Sequence, residues 1–316
     1  MIKFITKAYK YIYARTISRI YINTNHEINK TVFLVSLGRS GSTLIAELIN
    51  YNNRFRIMFE PFKPDKINDF KNFEYPTYID PQDKRSDVYN KFKKVFEGNV
   101  RNAWTDSQNK KFICKYRLIK DIYSNMMLGY ISQNFSAMPI IVLLRNPYPL
   151  IESWKRVNWG VHNIKKRILQ QEDLIKTVLP ANALELLKSS SDYFSVNMHI
   201  WCISYYISFH QLKECRYCCV YYENFLTEPE KEISKLFNFL QLEFNGNVRK
   251  LMRKESAMTR SDSPLRKGEN ILLSWKKHYT DADIANGNNI LKFYGLDNLY
   301  DFSNSFLPGN NKINLQ

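Results

Sequence analysis

Residues Thr31–Thr43 read TVFLVSLGRSGST, and the fold follows from how that stretch divides. Val32, Phe33, Leu34 and Val35 form a short apolar run with β-branched members, as a buried strand does. The chain then turns through Gly38 and Gly41 and enters LIAELIN, where Leu44, Ile45, Leu48 and Ile49 recur at helical spacing. A strand, a Gly-rich turn and a helix make an anion site. The turn exposes backbone N–H groups and the helix start carries partial positive charge, while Arg39, Ser40, Ser42 and Thr43 add donors. The guest expected there is a phosphate or a close isostere.

The spacing is not that of an ATP or GTP P-loop, which needs a Gly, four residues, then Gly-Lys-Ser/Thr. Counting back from Gly41 puts Ser36 where the first Gly belongs, and Ser42 stands where the Lys belongs. The loop lacks the cation that reaches the outer phosphates of a triphosphate, and Arg39 supplies charge from the other side of the turn. A Gly-Ser segment alone also fits a plain tight turn. The strand before it, the helix after it and the Arg within it favour the anion site.

Composition sets the outer bounds. At 316 residues the chain can bury a good core, and 44% hydrophobic with 24% charged residues is ordinary for a soluble globular protein. No apolar run approaches the length of a membrane span, and the N-terminus shows neither an h-region nor a cleavage site. The net charge of +16 suits a polyanionic partner or a multiply phosphorylated cofactor, though a solvated basic surface accounts for most of these side chains. Five Cys, an odd number without framework spacing, fit a reducing cytoplasm. Cys215 and Cys218 form a C-x-x-C with no second pair, so buried strand thiols are favoured over a metal site, and no metal is expected.

Residues 1–30 form an N-terminal basic segment. Within Met1–Tyr21, Ile2, Ile5, Tyr9, Ile12, Tyr13, Ile17 and Ile20 follow helical spacing among Lys3, Lys7, Lys10, Arg15 and Arg19. Such a helix packs on its own domain or lies on a membrane surface, with the packed arrangement favoured and peripheral membrane contact kept open. Residues 31–300 read as a single domain, with 63–110 as an irregular insertion over the site and 301–316 as a tail. Arg56–Phe59 is a short apolar stretch that delivers Glu60 to a strand's end or a loop, and further strands are expected at Lys111–Lys115, Pro139–Leu144 and Arg216–Tyr222. Helices are expected at Val88–Phe96, Tyr123–Phe135, Ile151–Trp154, Asn197–Leu212 and Pro229–Leu240, and within Ser274–Tyr294.

Strands alternating with helices imply a P-loop-like three-layer α/β/α fold around a central, mainly parallel sheet. Such sheets bind ligands beyond the carboxyl ends of their strands. The Gly38–Thr43 loop, Glu60, Lys115, Arg145 and Glu223 fall there on this reading. Arg145 is followed eight residues later by Ser153, so a strand-end guanidinium and a helix hydroxyl can reach one phosphate. Far downstream, Arg266, Lys267 and Gly268 offer a second plausible anion grip. Each taken alone also fits an ion pair or a solvated loop.

Together these segments resemble a known family. TVFLVSLGRSGST resembles the 5′-phosphosulfate loop of sulfotransferases that use 3′-phosphoadenosine 5′-phosphosulfate (PAPS), and LLRNPYPLIESWKR resembles their 3′-phosphate motif. RKGENILLSWKKHYT is similar to their C-terminal RKG loop with its downstream Trp, here Trp275. VYYENFLTEPEKEISKLFNFL looks like the segment entering the last large helix. RIMFEPF resembles the FEP segment of the carbohydrate and tyrosylprotein branch. By that resemblance Gly38, Arg39, Ser40, Gly41, Ser42 and Thr43 hold the 5′-phosphosulfate. Arg145 and Ser153 hold the 3′-phosphate with help from Arg266, Lys267 and Gly268. Glu60 matches the acceptor base, and Lys115 falls in the segment that bears a Lys near the nucleotide. No His stands where cytosolic members carry their catalytic His.

The resemblance implies in-line transfer of a sulfuryl group from PAPS to a hydroxyl of a carbohydrate, glycan or glycolipid, without a metal. A small-molecule kinase is the enzymatic alternative, and the missing loop Lys weighs against it. A non-catalytic basic module for nucleotide, nucleic acid or membrane is the other. No nucleic-acid motif is present, so no nucleic-acid partner is expected.

Overall fold

The computed structural model describes residues 21–158, 161–213, 215–244, 246, 248 and 272–300. Five strands form the central sheet: β1 (Thr31–Ser36), β2 (Phe55–Phe59), β3 (Tyr116–Asp121), β4 (Ile140–Leu144) and β5 (Tyr217–Tyr221). Their order is β2-β3-β1-β4-β5 and every pairing is parallel. Parallel strands need crossovers, and helices supply them on both faces. Residues Ile22–Asn23 and Ile113–Cys114 form a separate two-stranded parallel pair.

Alternation along each strand divides the core in two. Val32 and Leu34 of β1, with Ile141 and Leu143 of β4, face Ile45 and Ile49 of α1 (Ser42–Ile49). Phe33 and Val35, with Ile140 and Val142, belong to the larger core on the opposite face. Residues 86–96 form α2 (Ser86–Phe96) and 128–134 form α3 (Leu128–Asn134). Helix α4 (Pro147–Arg156) starts directly after β4. Asn146 caps it by accepting a hydrogen bond from Tyr148 N at 3.0 Å, and Pro147 sits at its first turn. After α5 (Val161–Leu169) and α6 (Ala183–Ser189), α7 (Tyr193–Leu212) runs for 20 residues. It is buried on nearly every side, as a helix apolar all round must be. Among the described residues the last two long helices are α8 (Pro229–Leu240) and α9 (Asp281–Phe293), the latter opened by a capping box at Thr280 and Asp283.

The strand expected at Lys111–Lys115 is displaced. The sheet strand is Tyr116–Asp121, so Lys115 precedes its amino end, remote from the ligand edge. Arg117, Lys120 and Asp121 are all buried within this strand, which therefore lacks the continuous apolar run of β1 and β4. Arg117 is satisfied at four oxygens: Thr31 Oγ1, Phe96 O, Asn25 O and Glu27 O. In the 63–110 stretch, Lys63 N donates to Glu60 O and Thr105 O accepts from Phe59 N, while Phe92 and Phe96 of α2 pack into the main core against Phe62. Residues 1–20 and 301–316, and with them the proposed amphipathic segment and tail, lie outside the described residues.

Candidate active site

The loop after β1 is built as a cradle. Arg39 has φ of 72° and Gly41 has φ of 91°, so two of three successive residues lie in the left-handed region and turn the backbone inward. At Gly41 only Gly serves, because a Cβ there would stand 2.4 Å from the Tyr222 ring. The start of the loop is fixed from behind: Leu37 N donates to Tyr205 OH on α7, and Asn125 Nδ2 donates to Ser36 O at 3.1 Å. Trp154 Nε1 of α4 donates to Gly38 O at 2.8 Å. Ser42 is buried at the first residue of α1 and Thr43 is exposed.

The two motifs separated by about a hundred residues meet here. Arg145 Nη1 donates to Arg39 O at 2.7 Å, and Arg39 Nε lies 3.3 Å from Ser153 Oγ. The Arg145 guanidinium stands 4.7 Å over the Tyr222 ring, and its buried Nε has no hydrogen-bond partner among the described residues. A buried donor without a partner beside a cradle of backbone N–H groups is suited to an incoming anion. Glu223 lies beneath. It accepts from Asn146 N at 3.0 Å and from Tyr300 OH at 3.2 Å, and burial raises its carboxyl above the ordinary range. Trp275 stacks on Tyr148 at 4.4 Å, which carries the C-terminal segment onto α4. Arg266, Lys267 and Gly268 fall outside the described residues.

A second cluster occupies the ends of β2 and β3. Glu60 follows β2 with φ of 45°, and its Oε1 accepts from Lys120 Nζ at 2.8 Å with both side chains buried. Oε2 has no hydrogen-bond partner among the described residues. Register explains the pair: Phe59 lies opposite Lys120, so the residue after β2 meets the penultimate residue of β3. The cation at this edge is therefore Lys120, not Lys115, whose ammonium lies over the Tyr116 ring at the far end. Asp121 is fully buried beside them. Its Oδ2 accepts from Tyr123 N and Ser124 Oγ, and burial raises its pKa to about 6.

Sequence reasoning missed Lys120 and Tyr222. A Lys one residue before the end of a parallel strand is the signal for the first. Tyr222 has the weaker signal of directly following a strand. His199 is buried on α7 against Tyr294 OH, with burial lowering its pKa to about 4, and it stays within the core. Among the described residues no cluster of His, Cys, Asp and Glu has the makings of a metal site, and no helix is long and apolar enough to cross a membrane.

Comparison with known proteins follows the same lines. Residues 31–246 match the sequence model of the sulfotransferase family. The sulfotransferase domain of the Synechococcus PCC 7002 olefin synthase is similar over 89% of this chain and 99% of its own, at 14% identity and a TM-score of 0.47. A mouse sulfotransferase complexed with PAP is similar over 88% of this chain and 86% of its own, at 15% identity and a TM-score of 0.46. Retinol dehydratase in complex with androsterone and inactive cofactor PAP covers 93% of this chain and 88% of its own, at 14% identity and a TM-score of 0.44. No curated protein sequence matches.

Proposed function

Because this chain belongs to the sulfotransferase family, we propose that it moves the sulfuryl group of PAPS to a hydroxyl of a carbohydrate or glycoconjugate acceptor. The observation that carries the reading is the joining of the two anion grips, through Arg145 Nη1 to Arg39 O at 2.7 Å and Arg39 Nε to Ser153 Oγ at 3.3 Å. One doubly phosphorylated nucleotide spans them. The Gly38–Thr43 backbone and hydroxyls take the 5′-phosphosulfate. Arg145 and Ser153 take the 3′-phosphate, with Arg266, Lys267 and Gly268 assigned to the same end by the sequence resemblance.

The step is an in-line displacement at sulfur. The acceptor oxygen forms a new S–O bond, the S–O bond to the phosphate breaks, and its electron pair leaves on the phosphate oxygen. Glu60 takes the acceptor's proton through a carboxylate oxygen. Lys120 and the loop N–H groups face the negative charge that builds on the transferring and leaving oxygens. Positioning supplies most of the remainder, as in phosphoryl transfer. No step in this scheme calls for a metal.

Thermal shift tests the reading against its rivals. Adenosine 3′,5′-bisphosphate should stabilise the protein more than ATP or an oligonucleotide does. Equal or greater stabilisation by ATP would favour the kinase, and by the oligonucleotide the binding module.

A further inference from the structure

On the side of Glu60 away from the Gly38–Thr43 loop, positive charge is gathered on aromatic faces. The chain turns tightly after Glu60: Lys63 N donates to Glu60 O at 3.2 Å, and Lys66 N and Ile67 N donate to Lys63 O at 3.1 and 3.0 Å. The turn brings two ammonium groups onto one indole. Lys63 Nζ lies 4.6 Å from the centroid of the Trp104 ring and Lys66 Nζ lies 5.9 Å from it. Lys63 Nζ is also 5.8 Å from the Tyr123 ring. Trp104 is itself held in place. It packs on Phe59 at 5.1 Å, Phe59 N donates to Thr105 O at 2.8 Å, and Asn102 Oδ1 accepts from the N–H groups of Trp104 and Thr105.

These cations are not needed to balance the site. Glu60 already has Lys120. Among the described residues the two lysines share one carboxylate, Asp65, which is 60% exposed and lies 3.7 Å from Lys63 Nζ and 2.9 Å from Lys66 Nζ. Exposed pairs of this kind hold their partners weakly and yield to a competing anion. Nor do the lysines belong to the nucleotide grips. Those sit on β1 and β4, whereas Glu60 ends β2, two strands from β1 at roughly 4.8 Å per strand. Lys63 and Lys66 extend from the Glu60 turn, where an acceptor presenting its hydroxyl to Glu60 would rest the remainder of its structure.

We infer that Lys63, Lys66 and Trp104 form a subsite for an anionic group, a carboxylate or a sulfate ester, carried by the same acceptor whose hydroxyl faces Glu60. The inference rests on the sulfotransferase reading of the site and specifies its acceptor class. Cations held against rings keep their charge while losing freedom, so they are arranged in advance for an anion.

The test is calorimetric binding to the full chain saturated with adenosine 3′,5′-bisphosphate. Two pairs of oligosaccharides are compared: a glucuronate-containing one with its carboxyl-reduced form, and a sulfated one with its desulfated form. The acidic member of at least one pair should bind tenfold or more tightly than its neutral partner, and the preferred pair distinguishes carboxylate from sulfate. That preference should collapse in the Lys63→Ala/Lys66→Ala variant and weaken with rising salt, while bisphosphate affinity stays at the wild-type value. Equal binding within both pairs, no binding of either acidic member, or a preference that survives the double substitution overturns the subsite. Failure of the wild-type protein to bind the bisphosphate would instead remove the underlying reading.

Discussion

Glu60 is held by its surroundings in a backbone conformation that a Glu rarely adopts, with φ of 45°. Its N–H donates to Lys120 O at 2.8 Å and its carboxylate meets the Lys120 ammonium, so main chain and side chain are both pinned to β3. The proposed mechanism uses this carboxylate, fixed just past the end of an edge strand with Oε2 unpaired among the described residues, as the proton acceptor. Glu60→Gln keeps the shape and removes the proton acceptor. Turnover in an assay with labelled donor should fall by about 10²–10⁴-fold, while bisphosphate affinity measured by calorimetry stays the same. Retained turnover would remove Glu60 as the base. Asp121, next to this pair, makes a separate prediction. The folded carboxyl holds its proton more tightly than the unfolded one. Its contribution is therefore favourable below the ordinary carboxylate range and is lost as pH climbs through about 6. Asp121→Asn removes the buried charge but can still accept from Tyr123 N and Ser124 Oγ. It should raise stability at pH 7.5, by on the order of 3 kcal/mol at most, with little change near pH 4. Melting curves at the two pH values decide this, and an equal effect at both would contradict the assignment.

Strand β2 is an edge strand, and the segment around Asp106 closes that edge. Arg56 donates from Nε to Asp106 Oδ1 at 2.7 Å, from Nη2 to Asp106 Oδ2 at 3.0 Å, and to the carbonyls of Gly98 and Val100. Ile57 N finds Asn109 Oδ1 at 2.6 Å. Pairing and covering the edge in this way also fixes the position of Glu60, three residues beyond Ile57. Asp106→Ala leaves a buried guanidinium without its carboxylate and should cost about 3–5 kcal/mol in urea unfolding. A loss below 1 kcal/mol would show that the pair is dispensable. What the sequence could disclose differs between elements for related reasons. β1 and β4 are short apolar runs bounded by turn residues, and both were legible, together with the loops that follow them. β3 was not, because Arg117, Lys120 and Asp121 carry charge into buried positions, and the partners of Arg117 and Lys120 lie far away in the chain. The displaced strand took the assignment of Lys115 with it. Arg145 and Ser153 were legible because one strand and the next helix hold them. Tyr222 was not, because its role comes from contact with Gly41, 181 residues away.

Across the whole molecule the sheet sets the order of events along one edge. Arg145 follows β4, the Gly38–Thr43 loop follows β1, Lys120 lies near the end of β3 and Glu60 follows β2. The proposed nucleotide grips, the proposed neutralising cation and the proposed proton acceptor thus follow one another along the strand order, with the proposed lysine–tryptophan subsite beside Glu60. α7 secures this edge from one face: Tyr205 OH donates to Leu143 O at 2.8 Å and Trp201 Nε1 to Arg145 O at 3.1 Å. The central claim is that a single ligand engages the grips on β1 and β4 together. Calorimetric titration of wild type and Arg145→Ala with adenosine 3′,5′-bisphosphate and with adenosine 5′-phosphate tests it most directly. Wild type should prefer the bisphosphate, and Arg145→Ala should lose that preference, weakening bisphosphate binding by about 2–4 kcal/mol while leaving the monophosphate almost unchanged. A wild-type protein indifferent to the 3′-phosphate, or a preference that persists without Arg145, would contradict the account.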